Sequence, residues 1–122
     1  KLQIVRINEK DVKDVMMLLL EHEIGDSDNE VVNGNYISKI MAKDWGFYYT
    51  STTNLNKIKS LLGEYDALLS DDRDVISARI DELLAMIEKA PKSLGWKLRA
   101  KVGTKKQWYN DVEEVERAEH LM

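Results

Sequence analysis

The chain has 122 residues, a mass of 14.1 kDa and a formal charge of −4 at pH 7, with 43% hydrophobic and 33% charged residues. That is the length of one globular domain, and it suffices to bury a core without a disulfide or a structural metal. It has no cysteine, which excludes a disulfide framework, a thiolate zinc site, an iron–sulfur cluster and a cysteine nucleophile.

Leu2, Ile4, Val5 and Ile7 alternate imperfectly with polar residues, the pattern of a short strand or an extended lead-in. Asn8 is the expected N-cap of a helix over 11–24, with Glu9 and Asp11 near its positive end. Val12, Val15, Met16, Leu19 and Leu20 follow helical spacing, and Gly25 stops it. Met16, Met17 and Leu18 leave this helix apolar on more than one side, which points to a homodimer. Asp26 to Glu30 reads as an acidic loop. It does not fit a calcium-binding EF-hand, because the sixth and twelfth positions, which need Gly and Glu, hold Val31 and Ile37.

Asn33-Gly34 reads as a turn, followed by a short helix over 36–43 that buries Ile37, Ile40 and Met41. Trp45, Phe47, Tyr48 and Tyr49 crowd around Gly46. They form either a core plug or an anchor for a partner, since Trp and Tyr are enriched at interfaces. Thr50 to Thr53 supply caps for a helix over 53–69 carrying Leu55, Ile58, Leu61, Leu62, Tyr65 and Leu68. Ser70 or Asp71 caps the next helix, 71–88, with the stripe Val75, Ile76, Ile80, Leu83, Leu84 and Ile87; Pro91 ends it. Residues 93–101 form a last short helix whose Leu94, Leu98 and Val102 are expected to face the core, and Gly103 breaks it. Residues 110–122 read as an acidic tail or solvated helix. The expected fold is therefore mainly α: one domain over 1–122, a compact bundle of five or six helices with at most a short N-terminal strand.

The order of helices 11–24, 36–43 and 53–69 is similar to the three-helix core of helix-turn-helix and winged-helix domains. Tyr36 to Met41 would support, and Asn54 to Leu62 would read. The resemblance implies that Asn54, Asn56, Lys57 and Lys59 meet base edges and phosphates. The sequence departs from that pattern in two ways. The connection from Ala42 to Thr53 is about 11 residues where about three or four are usual, and a helix follows where a winged domain has a hairpin.

Charge falls into three blocks. Residues 1–88 carry 10 basic and 17 acidic side chains, residues 89–109 carry seven basic and no acidic ones, and residues 110–122 carry one basic and five acidic ones. The middle block holds Lys89, Lys92, Lys97, Arg99, Lys101, Lys105 and Lys106, interleaved with Trp96, Trp108 and Tyr109. Aromatic rings among cations can stack bases, so this segment is a candidate nucleic-acid surface. The alternative partner is an acidic protein surface, anchored through the 45–49 aromatic cluster. The plainest reading is a solvated face that pairs with the acidic body or tail. A pI near 5.2 counts against nucleic acid.

No phosphate-binding glycine loop and no nucleophile elbow occurs. His22 and His120 are far apart in sequence, and His22 cannot face the adjacent Glu21 or Glu23 along a helix. No catalytic set, metal or cofactor is therefore expected, and the chain reads as a non-enzymatic binding module. The longest apolar run, Val15 to Leu20, is far short of the ~20 residues a membrane span needs, and Lys1 to Arg6 lacks the pattern of a signal peptide. No membrane partner and a cytoplasmic location are expected.

Overall fold

The computed structural model describes residues 2–25 and 31–109. Helix α1 (Glu9–Glu21) begins where the Asn8 side chain accepts a hydrogen bond from the Asp11 amide at 2.9 Å, as its sequence predicts. It ends short of Gly25, because Ile24–Gly25 turn out into a strand, β1. This pairs in parallel with β2 (Val32–Asn33), with Ile24 opposite Val32. Strand structure thus falls here, and residues 2–8 form turns instead. Their carbonyls are held by a side chain rather than a neighbouring strand: Asn54 Nδ2 donates to Leu2 and Ile4 oxygens at 2.8 and 2.7 Å.

Asn33-Gly34 is a helix start and not a loop turn. The Asn33 side chain accepts from the Tyr36 amide at 3.0 Å and opens α2 (Gly34–Met41). Asn serves both purposes, so the dipeptide alone does not distinguish them. The aromatic run is also helical. Asp44 accepts from the Phe47 amide at 3.0 Å, and α3 (Trp45–Leu61) runs straight through the threonines expected to cap it. A single 3-10 turn, Leu62–Glu64, follows at Gly63. Helix α4 (Ser70–Lys89) carries Asp71 and Asp72 in its first turn, where they complement the positive helix end. Helix α5 (Leu94–Val102) is capped by Ser93, whose oxygen accepts from the Trp96 amide at 3.1 Å. It stops at Gly103, whose φ of 62° and ψ of −143° lie where a residue with a Cβ is strained. The chain is a mainly α bundle with five α-helices among the described residues.

Helix α4 is central, packing on α1, α2 and α3. Its Ile76, Ile80, Leu83 and Ile87 lie on one stripe and are fully buried. They meet Val12, Val15, Met16 and Leu19 of α1, Met41 of α2, and Leu55 and Ile58 of α3. Each such side chain contributes about 1.5–3 kcal/mol on burial, so this seam dominates the favourable side of folding. On α1, Met17 and Leu18 point away from it and stay exposed. Helix α5 is different: it lies on α3 and has no fully buried residue.

Candidate binding surface on the C-terminal helix

The 89–109 segment divides into residues that hold it to the bundle and residues that do not. Trp96 meets Tyr48 edge-on at 5.1 Å, and the Tyr48 hydroxyl donates to Glu88 Oε1 at 2.6 Å. Burial first, and then the hydrogen bond to and charge of Glu88, push the Tyr48 phenol up to about 12. Lys92 Nζ donates to the carbonyl oxygens of Ile87 and Ala90 at 2.5 and 2.7 Å, satisfying the open C-terminal end of α4. The same ammonium lies 5.9 Å from the Tyr48 ring centre and 5.7 Å from that of Trp96. One turn on, the Arg99 guanidinium sits 5.0 Å over Trp45 and donates to the Gly103 and Lys106 oxygens at 2.6 and 2.7 Å. It thereby folds the residues after α5 back toward α3.

Trp108 completes that return. Its Nε1 donates to Thr50 Oγ1 at 2.8 Å, and its ring lies edge-on to Tyr49 at 5.0 Å. Tyr49 in turn stacks on Trp45 at 5.2 Å. The approach is close enough that a Cβ on Gly46 would stand 2.8 Å from the Trp108 carbonyl oxygen. Lys92, Trp96, Arg99 and Trp108 are therefore bound up with the 45–49 aromatic cluster, which acts as a plug between α3 and the C-terminal segment.

Lys89, Lys97, Lys101, Lys105 and Lys106 are exposed. Among the described residues none of the five forms an ion pair, so pairing with the acidic body is not what holds them. The acidic segment 110–122 lies outside the described residues. Between these lysines, Leu94, Leu98 and Val102 turn outward, with 73, 54 and 42% of their surface exposed. This corrects the expectation that they face the core. The spacing does place them on one face, but Trp96 and Arg99 on the opposite face dock onto the aromatic plug. An indole and a guanidinium over a ring fill more of that contact than three aliphatic side chains do.

The second group of expected site residues does not form a reading face. Asn54 is 3% exposed and tethers the N-terminal turns. Asn56 donates back to the Thr52 oxygen at 3.0 Å, about 200° round the helix from Asn54. Lys59 pairs with Asp81 at 2.7 Å, and Lys57 stands apart on the rim of an open cleft. The α2–α3 connection, residues 42–44, is as short as a helix-turn-helix requires. However, the first turns of α3, the end such a motif offers to the groove, are covered by α5 and Trp108.

The cleft has a volume of about 410 Å³ and lies between Ile7, Glu9 and Val12 on one side and Lys57, Leu61, Glu64 and Tyr65 on the other. It gathers no histidine, serine or threonine, and Glu9 is engaged by Lys13 at 3.1 Å. Among the described residues no three potential metal ligands converge, and no helix is long and apolar enough to cross a membrane. The roles of Tyr48, Thr50 and Glu88 were not read from the sequence. The available signal was Asp44, a good N-cap, followed by Trp45, Tyr48, Tyr49 and Thr52 at helical intervals. The chain matches no family model, and neither curated proteins nor solved structures show a significant match to it.

Proposed function

We propose that the protein is a non-enzymatic interaction module that binds an acidic protein surface through α5 and the turn that follows it. One observation carries this reading. The rings that would stack nucleic-acid bases, Trp96 and Trp108, are packed on α3, while Lys89, Lys97, Lys101, Lys105 and Lys106 remain outside without acidic partners among the described residues. Charge over the whole chain supports the same choice. Residues 1–88 carry seven more acids than bases. A nucleic acid long enough to overhang α5 would lie within the ~8–10 Å reach of that acidic body. A protein partner can confine its carboxylates to the area that α5 covers.

The test is binding of a short fluorescent acidic peptide, compared with duplex DNA and RNA of similar length, across a salt titration. The peptide should bind at about 50 mM salt and weaken as salt rises. Lys97→Glu with Lys101→Glu should abolish that binding while changing stability by about 1 kcal/mol or less, because both cations are exposed. Tighter binding of DNA or RNA than of the peptide, or equal peptide binding by the double variant, would overturn the reading.

A further inference from the structure

The proposed surface is not simply cationic. Leu94, Leu98 and Val102 recur four apart, so they form one continuous ridge about 12 Å long on the outer side of α5. Lys97 and Lys101 run along one flank of that ridge, three residues on from Leu94 and Leu98. The inner side is packed on the bundle: Ser93 caps the first turn, Trp96 lies against Tyr48, and Arg99 lies over Trp45. The ridge is thus presented by a helix whose orientation is already fixed, and binding need not order it first. Exposing three large aliphatic side chains in a row is unfavourable in water, and a contact that uses only the lysines would leave them wet.

We propose that the occupant of this ridge is an amphipathic helix of a partner protein. Its aliphatic side chains pack against Leu94, Leu98 and Val102, and its carboxylates lie beside Lys97 and Lys101. This rests on the acidic-partner reading above and adds the shape of the partner to its charge. Helix-on-helix packing suits the ridge because aliphatic residues three and four apart on one helix fill the spaces between those of another. The lysines decide against an isologous pairing of two copies through this ridge. Two α5 helices packed ridge to ridge would bring Lys97 and Lys101 of each copy to one seam, where like charges repel. An acidic helix turns the same seam into attraction.

Three labelled peptides of about 18 residues, long enough to hold a helix, provide the probes. The first carries leucines on one helical face with flanking glutamates. The second has the same composition with the leucines scattered round the helix, and the third has lysines in place of the glutamates. Vesicles containing phosphatidylserine are the fourth probe, and anisotropy against the full chain is the readout. The first peptide should bind about tenfold or more tightly than the second, and the third and the vesicles should not bind. Leu94→Gln with Leu98→Gln should remove that tenfold advantage and leave the second peptide's weaker binding as it was. Both residues are exposed, so unchanged circular dichroism and melting should accompany the loss.

Equal binding of the first two peptides, unaffected by the leucine changes, would overturn the helix and leave the acidic-partner reading standing. Binding by neither acidic peptide would overturn both. Preferential binding of the vesicles or of the lysine peptide would overturn the proposed occupant.

Discussion

Helices α4 and α5 carry apolar stripes of the same kind and use them in opposite ways. On α4, Ile76, Ile80, Leu83 and Ile87 recur at helical spacing and are buried on three sides by α1, α2 and α3. On α5, Leu94, Leu98 and Val102 recur just as regularly and face outward, while Trp96 and Arg99 face the bundle. Periodicity states which residues share a face. Which face is turned inward depends on what the neighbouring surface offers. The seam around α4 is aliphatic and accepts aliphatic side chains. The first turns of α3 present Trp45, Tyr48 and Tyr49, and those rings attract an indole and a cation more strongly than they attract leucine.

The comparison breaks most sharply under matched truncations. Ile80→Ala removes a fully buried side chain from the central helix and should cost about 2–5 kcal/mol in urea unfolding. Leu98→Ala removes a side chain of the same size from α5 and should change stability by about 0.5 kcal/mol or less. Comparable losses for the two would mean that the α5 ridge is buried in solution.

A smaller effect should come from the contact between α3 and the returning chain. Gly46→Ala places a Cβ where the Trp108 carbonyl oxygen stands at 2.8 Å. That oxygen belongs to the backbone and cannot turn aside as a flexible side chain would. The variant should lose about 1–3 kcal/mol, and tryptophan emission should shift as the indole of Trp108 gains water. An unshifted emission spectrum with full stability would show that residues 103–109 do not pack there.

The same contrast explains what could be read from the sequence. The cap at Asn8, the α4 stripe and the break at Gly103 were legible because each follows from a local rule: a side chain that accepts an amide, a period of 3.6, or the φ tolerance of glycine. The start of α3 was not, because Asp44 and the later threonines are both good caps, and only packing of Trp45 and Tyr49 against Trp108 selects the earlier one. The lysine block was visible as charge. Its division into Lys92 and Arg99, which are held against the bundle, and five exposed lysines depends on rings far away in the chain: Lys92 lies by Tyr48, 44 positions before it, and Arg99 over Trp45, 54 positions before it. The role of Asn54 is hidden for the same reason: nothing near it in sequence shows that its amide reaches Leu2 and Ile4.

A subtler effect concerns the hydrogen bond between α3 and α4 beside α5. Tyr48 on α3 donates to Glu88 at the end of α4, beside Trp96 of α5, and its phenol is pushed from 10.0 up to about 12. Burial is the larger cause, followed by the Glu88 hydrogen bond and charge, and all three disfavour the phenolate. The folded state therefore holds this proton more tightly than the unfolded chain does. The stabilisation is fully present below pH 10 and is lost as pH rises through about 12. Tyr48→Phe should lower stability at neutral pH by about 1 kcal/mol, the usual worth of one hydrogen bond to a partly exposed group. Subtracting the pH profile of Tyr48→Phe from that of the native chain cancels the other tyrosines and the lysines. The difference should be flat up to pH 10 and fall between pH 10 and 12. Glu88→Gln keeps an acceptor but removes the charge, so in that variant the fall should still begin near pH 10 but end at lower pH and be smaller. A difference profile flat to pH 12 would mean that in solution the Tyr48 phenol is neither buried nor bonded to Glu88. The attachment of α5 would then rest on Arg99 and Trp108, without the tie between α3 and α4.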